Sequence, residues 1–237
     1  MNPCVSPLFP DVSPIAGDTF SLERQLVRHG AALVAGLDEA GRGPLAGPVV
    51  AACVILPPDC DYQVFRDSKQ LTAQQRERLF ALLRGNGAII GIGTADPREI
   101  EAINILQASL LAMRRALAAC TEANGGREPD VLLVDGTSRV PVAIQQLALV
   151  KGESKSASIA AASIIAKVTR DRLMAEAHLR YPQYGFAGHQ GYPTRAHRQA
   201  IAAHGPCPLH RRTFRGVAEF LAAAEPDQAA PTQPGLW

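Results

Sequence analysis

Four acids, one glycine-rich bend and one tyrosine are the residues of this chain whose types and positions suit chemistry. Asp38 and Glu39 stand in LDEAGRGPLAG, where an apolar run from Ala31 reaches the bend Gly41-Arg42-Gly43. Asp135 ends the apolar VLLVDG, and Asp171 follows Lys167 by four in SIAAASIIAKVTRDRLM. Three or four carboxylates brought together repel and raise one another's pKa values. A hard, oxygen-seeking ion, Mg²⁺ or Mn²⁺, relieves that repulsion, and such sites take phosphate-bearing substrates. Two ions about 3.5–4 Å apart can activate water and stabilise the departing oxygen of a phosphodiester.

Each acid also has a plainer reading. Asp38 and Glu39 are neighbours, so a regular strand sends them to opposite faces, and they share a site only where the pleat breaks at the bend. Otherwise they are two solvated acids beside a turn. Asp135 either marks the carboxyl end of a buried strand, the favoured place for sites in open α/β sheets, or merely opens an Asp-Gly turn. Lys167 and Asp171, spaced i,i+4, form either an exposed pair worth about 0.3–0.5 kcal/mol or part of a face that covers the strand ends.

Gly41, Gly43 and Ala46 also satisfy G-x-G-x-x-A, a dinucleotide fingerprint that requires a helix to begin at the glycines. Here PVVAACVIL follows, a strand-like run, and Pro44 interrupts the bend. The glycines therefore read as a loop whose backbone can approach a ligand closely, with Arg42 projecting from it.

Charge divides sharply along the chain. The formal net charge is only +2, yet residues 177–218 hold no Asp or Glu, six Arg and five of the six His. The remaining 18 bases face all 22 acids. A polyanion-facing C-terminal part beside a more acidic body follows. Within it Tyr192 stands among Gly and Pro, either plugging a gap against the core or offering a flat surface to a sugar or base. Arg195, Arg198, Arg211 and Arg212 flank it as candidates for backbone phosphates. The histidines lack fixed ligand spacing and read as surface or capping groups.

The elements that must position these groups are legible in outline. The segment from Ala31 to Leu56 reads as two adjacent strands, and AIIGIGTA as a third. Thr72 with Gln75, and Asp96 with Pro97 and Glu99, are helix starts, the second helix running to about Cys120. VLLVDG and VAIQQLALV are two further strands. The alanine-rich segment from Ser156 is a long helix, and Thr194 and Gly205 bound another. Mixed sheet first and helices last is the resulting α/β order.

Composition sets the outer limits. With 237 residues and 47% hydrophobic content the chain builds one compact core, and disorder throughout is excluded. It lacks a run of roughly 18 uncharged apolar residues, so no membrane span or membrane partner is expected. The first 30 residues, with four Pro, do not read as a secretory signal, which makes the cytoplasm the default. Five Cys without a C-x-x-C pair read as reduced thiols rather than a disulfide framework or zinc knuckle.

Taken together, VAGLDEAGRGPLAGPVV, FRDSKQL, NILQASLLAM, VLLVDG, SIAAASIIAKVTRDRLM, PQYGFAGHQGYPTRAH and HRRTF resemble bacterial ribonuclease HII, in that family's order, across roughly residues 31 to 220. The resemblance implies a ribonuclease H-like mixed five-stranded sheet flanked by helices, with a C-terminal helical extension. Composition and charge, rather than the resemblance, mark residues 1–30 as a poorly ordered tail, 31–176 as the catalytic domain, 177–224 as the basic helical extension and 225–237 as a flexible tail. The resemblance implies a monomeric endonuclease acting in DNA repair or replication on RNA–DNA hybrids and on single ribonucleotides embedded in duplex DNA. Cutting would fall 5′ to the ribonucleotide, by in-line attack of a water oriented by carboxylate-held Mg²⁺ or Mn²⁺, leaving a 3′-hydroxyl and a 5′-phosphate.

Residue by residue, the family's carboxylates match Asp38, Glu39, Asp135 and Asp171, the last as the fourth acidic member. Gly41, Arg42 and Gly43 match the motif that reads the 2′-hydroxyl through backbone groups, the group that tells RNA from DNA. Tyr192 matches the tyrosine that packs on the sugar at the RNA-to-DNA junction. Three departures stand out. Gln190 occupies a common Lys position, Glu153 a common Asp position and Gly216 a usual Pro position. Two rivals remain: a DNA nuclease or junction resolvase of the same fold, and a non-catalytic hybrid-binding protein that needs only the basic segment.

Overall fold

The computed structural model describes residues 9, 11–65 and 68–224. The expected tail 225–237, the first eight residues, and Arg66 and Asp67 of FRDSKQL lie outside the described residues. Helix α1 (Ser21–Arg28) precedes strands β1 (Val34–Ala40) and β2 (Val49–Ile55), then α2 (Ala73–Gly85), β3 (Ile89–Ala95) and α3 (Pro97–Ala123). Strands β4 (Val131–Asp135) and β5 (Gln145–Leu149) follow. Helices α4 (Ala157–Arg180), α5 (Phe186–His189), α6 (Arg195–His204) and α7 (Ala218–Ala224) complete the chain. The sheet order is β3-β2-β1-β4-β5, with β3, β2 and β1 antiparallel and β1, β4 and β5 parallel. This is the mixed five-stranded sheet the motifs implied. None of the described helices is long and apolar enough to cross a membrane.

The helix starts form as their side chains dictate. Thr72 and Gln75 make a reciprocal capping box on α2, and Asp96 and Glu99 do the same on α3. Helix α3 covers one face of the sheet, packing Ala112, Met113 and Ala116 with Leu37, Ala51 and Leu132. Helix α4 covers the other, where Ala160, Ala161 and Ile164 meet Ala52 and Val54. Its small side chains permit very close approach: a Cβ on Gly36 would lie 2.1 Å from the Ser158 carbonyl carbon. Cys53, Cys60, Cys120 and Cys207 are free thiols.

Three expectations are corrected. Residues 21–28 are not a loose tail: Leu22 and Leu26 of α1 are fully buried. Glu23 accepts hydrogen bonds from Ser156 Oγ at 2.6 Å and Ser158 N–H at 3.1 Å, tying α1 to the start of α4. Helix α3 is interrupted at Asn104 (φ 68°, ψ 167°), where the Asn side chain caps the N–H groups of Leu106 and Gln107 and restarts the helix. The boundary near residue 177 falls inside α4, which runs unbroken to Arg180. The basic segment is also sewn to the sheet domain, since Ala46 bridges His210 and the Gly47 N–H donates to the Leu209 carbonyl at 2.8 Å.

Candidate active site

The acids gather because two parallel strands end side by side. The last paired residues of β1 and β4 are Leu37 and Val134, so Asp38 and Asp135 come next at matching levels. Equivalent positions on neighbouring strands share a face. Contrary to expectation, the β1–β2 ladder continues unbroken through Asp38 and Glu39 to Ala40, paired with Val50. Glu39 reaches the site from the other face. It lines, with Arg42, Leu106, Ser109, Asp135 and Gly136, a cleft of ≈ 200 Å³.

The three acids feel one another's charge. Burial pushes the Asp38 carboxyl well above the usual carboxylate range, and the charges of Glu39, Asp135 and Glu153 push it further. Burial raises Glu39 too; Asp135 adds to the rise, whereas Arg42 opposes it. One oxygen of each acid is anchored: Asp38 Oδ1 accepts the Glu39 N–H at 2.7 Å, Asp135 Oδ1 the Gly152 N–H at 2.7 Å, and Glu39 Oε1 the Arg42 guanidinium at 3.3 Å.

Asp171 stands differently. It pairs with Lys167 at 2.7 Å on α4 and is not among the charges that weigh most on Asp38 or Glu39. Among the described residues, no three acid, His or Cys side chains already close into an ion cage. Asp38, Glu39 and Asp135 nevertheless suit a divalent cation by donor chemistry, being oxygen donors only and mutually repelling at an open strand end.

Glu153 is less legible from its local sequence. It is buried, accepts Ser68 Oγ at 3.1 Å, and also accepts a hydrogen bond from Ser163 Oγ. Its position in KGES beside the serines of the long helix was the available signal, and nothing local announced that it would lie near Asp38.

The loop after β1 is held from behind by two arginines. Arg211 is fully buried and donates to the carbonyls of Gly41 at 2.5 Å, Arg42 at 2.8 Å and Gly47 at 2.9 and 3.0 Å. Arg170, equally buried, donates to Pro48 at 3.0 Å, Ala46 at 3.1 Å and Gln190 at 3.0 Å. Burial and the neighbouring Arg170 charge depress the Arg211 pKa to about 9, so the guanidinium stays charged at neutral pH. Arg211 is thus withdrawn from the phosphate-facing set, while Arg195, Arg198 and Arg212 remain exposed. Gly41 has φ +96°, and a Cβ there would stand 2.0 Å from Arg170 Nε, so only glycine fits.

Tyr192 is 42% exposed, which overturns the core-plug alternative. A Cβ on Gly43 would lie 3.9 Å from the Tyr192 ring, and Lys167 Nζ lies 6.0 Å from its centroid. The Leu45 N–H donates to the Gly191 carbonyl at 2.8 Å, joining this segment to the glycine loop. Gly216 takes φ +98°, a value closed to the Pro that is usual there. The histidines are also corrected: His197 and His210 are buried and lie 3.1 Å apart through their Nε2 atoms.

This geometry has close counterparts. A family model for ribonuclease HII matches residues 35–217. A ribonuclease HII of Desulfotalea psychrophila is 55% identical over 214 residues, covering 90% of this chain and 94% of that one. One from Geobacter sulfurreducens is 56% identical over 202 residues, with 85% and 91% covered. The ribonuclease H2 structure from Pyrococcus horikoshii superposes with a TM-score of 0.65 at 28% identity, over 81% of this chain and 98% of that one. A matching family model over most of the chain, close relatives over nearly their full length and the shared fold lead to one conclusion: this chain belongs to the ribonuclease HII family and is a ribonuclease H enzyme.

Proposed function

We propose that this chain, acting as a single polypeptide, hydrolyses the RNA strand of RNA–DNA hybrids and cuts 5′ to single ribonucleotides in duplex DNA, leaving 3′-hydroxyl and 5′-phosphate ends. The observation that carries this reading is the convergence of Asp38, Glu39 and Asp135 on one strand end, beside a loop whose carbonyls are turned inward onto Arg170 and Arg211. With its carbonyls so engaged, the loop can offer backbone groups to a 2′-hydroxyl at close range. Tyr192, next to Gly43, presents its ring to the sugar at the junction. Arg195, Arg198 and Arg212 meet backbone phosphates, so binding weakens with salt.

Asp38, Glu39 and Asp135 would hold Mg²⁺ or Mn²⁺, with Asp171, paired with Lys167, as the fourth acid. The bound cation supplies Lewis-acid activation of water and charge stabilisation at the departing oxygen. The protein's own contribution is orientation. The anchored oxygens of Asp38 and Asp135 fix both carboxylates before substrate arrives, and Glu153 is braced by Ser68 and Ser163 behind them.

The deciding experiment compares an all-DNA duplex with one containing a single ribonucleotide, each with and without Mg²⁺ or Mn²⁺. Metal-dependent cutting of the ribonucleotide substrate alone is expected. Equal cutting of all-DNA duplex would favour a junction-type nuclease, and metal-independent binding without cutting would favour a hybrid-binding protein.

A further inference from the structure

Three histidines of the acid-free segment are locked into single protonation patterns. His210 Nδ1 accepts the Cys207 N–H at 2.9 Å, so that nitrogen carries no proton and Nε2 does. The longer 3.3 Å approach of the same nitrogen to the Cys207 carbonyl cannot be a donated bond at the same time. His210 Nε2–H therefore donates to His197 Nε2 at 3.1 Å. His197 must then carry its proton on Nδ1, which lies 2.9 Å from the carbonyl of Tyr192. Each step fixes the next, from Cys207 through both rings to Tyr192.

The surroundings favour the neutral pair. Both rings are buried, and burial lowers both pKa values, that of His210 to about 4. His189 of α5 stacks on His197 at 4.4 Å, with its own Nδ1 accepting the Gly191 N–H and its Nε2 donating to the Tyr184 carbonyl. Tyr184 and Phe186 pack against His210, Cys207 and His204 lie nearby, and Arg98, Glu101 and Arg212 line a cavity with His210, where Glu101 Oε1 accepts the Arg212 N–H at 2.7 Å. Among the described residues neither ring hydrogen-bonds a carboxylate, a partner that would favour a charged ring.

We propose that His197 and His210 are positioning residues for cleavage at a ribonucleotide, their neutral pair fixing the Tyr192 carbonyl and thereby the pose of the ring that meets the sugar. This rests on the reading of Tyr192 given above. The ring itself is exposed, so its pose depends on the backbone that carries it.

Nitrogen NMR of the histidine-labelled full chain at neutral pH tests the pair directly. His197 as the Nδ1–H tautomer and His210 as the Nε2–H tautomer are expected; reversed tautomers or a charged ring overturn the proposal. Kinetics test the consequence, using kcat/KM on duplex DNA with one ribonucleotide. An Asn amide can place its donor where Nδ1 stood, and a Gln amide where Nε2 stood. His197→Gln should lose about five- to tenfold, the factor set by one neutral hydrogen bond, and His197→Asn should recover most of it.

In a Tyr192→Ala background both substitutions should change kcat/KM by less than about twofold, because the residue they act through is gone. Equal losses for Gln and Asn, or losses that persist in that background, overturn the proposal. Normal cutting by Tyr192→Ala would instead overturn the Tyr192 reading, recognisable because the histidine tautomers would be as expected. Should the His197 variants not fold, reversed tautomers or a charged ring in the unaltered protein would still overturn the proposal.

Discussion

The acidic strand end and the arginine-backed loop meet at the same site yet solve opposite problems. Asp38, Glu39 and Asp135 are held together against their mutual repulsion, and the fold leaves that repulsion standing. Arg170 and Arg211 are buried side by side, but backbone carbonyls take up their donors. Unrelieved charge marks the place where a ligand belongs, whereas charge consumed inside the protein marks scaffold. Residue type alone would have assigned both groups to the ligand.

The comparison can be broken most forcefully at Asp135. Asp135→Asn keeps volume and removes charge, and should cut cleavage by at least about a hundredfold, since metal-borne charge stabilisation is worth several kcal/mol. Added Mg²⁺ or Mn²⁺ should raise the melting temperature of the unaltered protein and not of the variant. Cleavage at the normal rate by folded Asp135→Asn would remove the acid cluster from the chemistry.

Arg211→Met addresses the other side. It strands the carbonyls of Gly41, Arg42 and Gly47 in a buried setting, at about 1–3 kcal/mol for each unsatisfied group. Chemical denaturation should show a loss of several kcal/mol in stability. An unchanged midpoint would mean the arginine is not scaffold.

Asp38→Asn sharpens the contrast by acting in the opposite direction. Because the fold raises the Asp38 pKa, the folded chain holds that proton more tightly than the unfolded one. The resulting stability is full at low pH and is lost as pH rises through the raised pKa. Asp38→Asn should therefore melt above the unaltered protein at alkaline pH, with the gap closing on acidification, while cleavage is lost. A variant less stable at every pH would contradict the repulsion argument.

Arg42→Ala should have the smallest effect on stability. Its guanidinium is half exposed where it pairs with Glu39 at 3.3 Å, and ion pairs open to water on one side contribute about 0–1 kcal/mol. Melting curves should scarcely move; a large drop would make Arg42 scaffold after all.

Strands, helix starts and the carboxyl-end position of Asp135 were legible because they depend on local periodicity and capping, as at Thr72, Asp96 and Thr194. What was hidden depends on pairings distant in sequence. Arg211 meets Gly41 across 170 positions, and Glu153 meets Ser68 across 85. Nothing in HRRTF distinguishes the buried Arg211 from the exposed Arg212. Asn104 was hidden for another reason: its side-chain cap replaces backbone bonds within a segment whose apolar spacing reads as continuous helix.

Helix α4 carries the Ser156 cap at its start, Ser163 against Glu153, Lys167 with Asp171, and Arg170 on the glycine loop. A helix turns about 100° per residue, so inserting or deleting one position early in it would swing all later partners out of reach together. Tolerated variation along this segment must come as exchange of one side chain for another, never as a change in length.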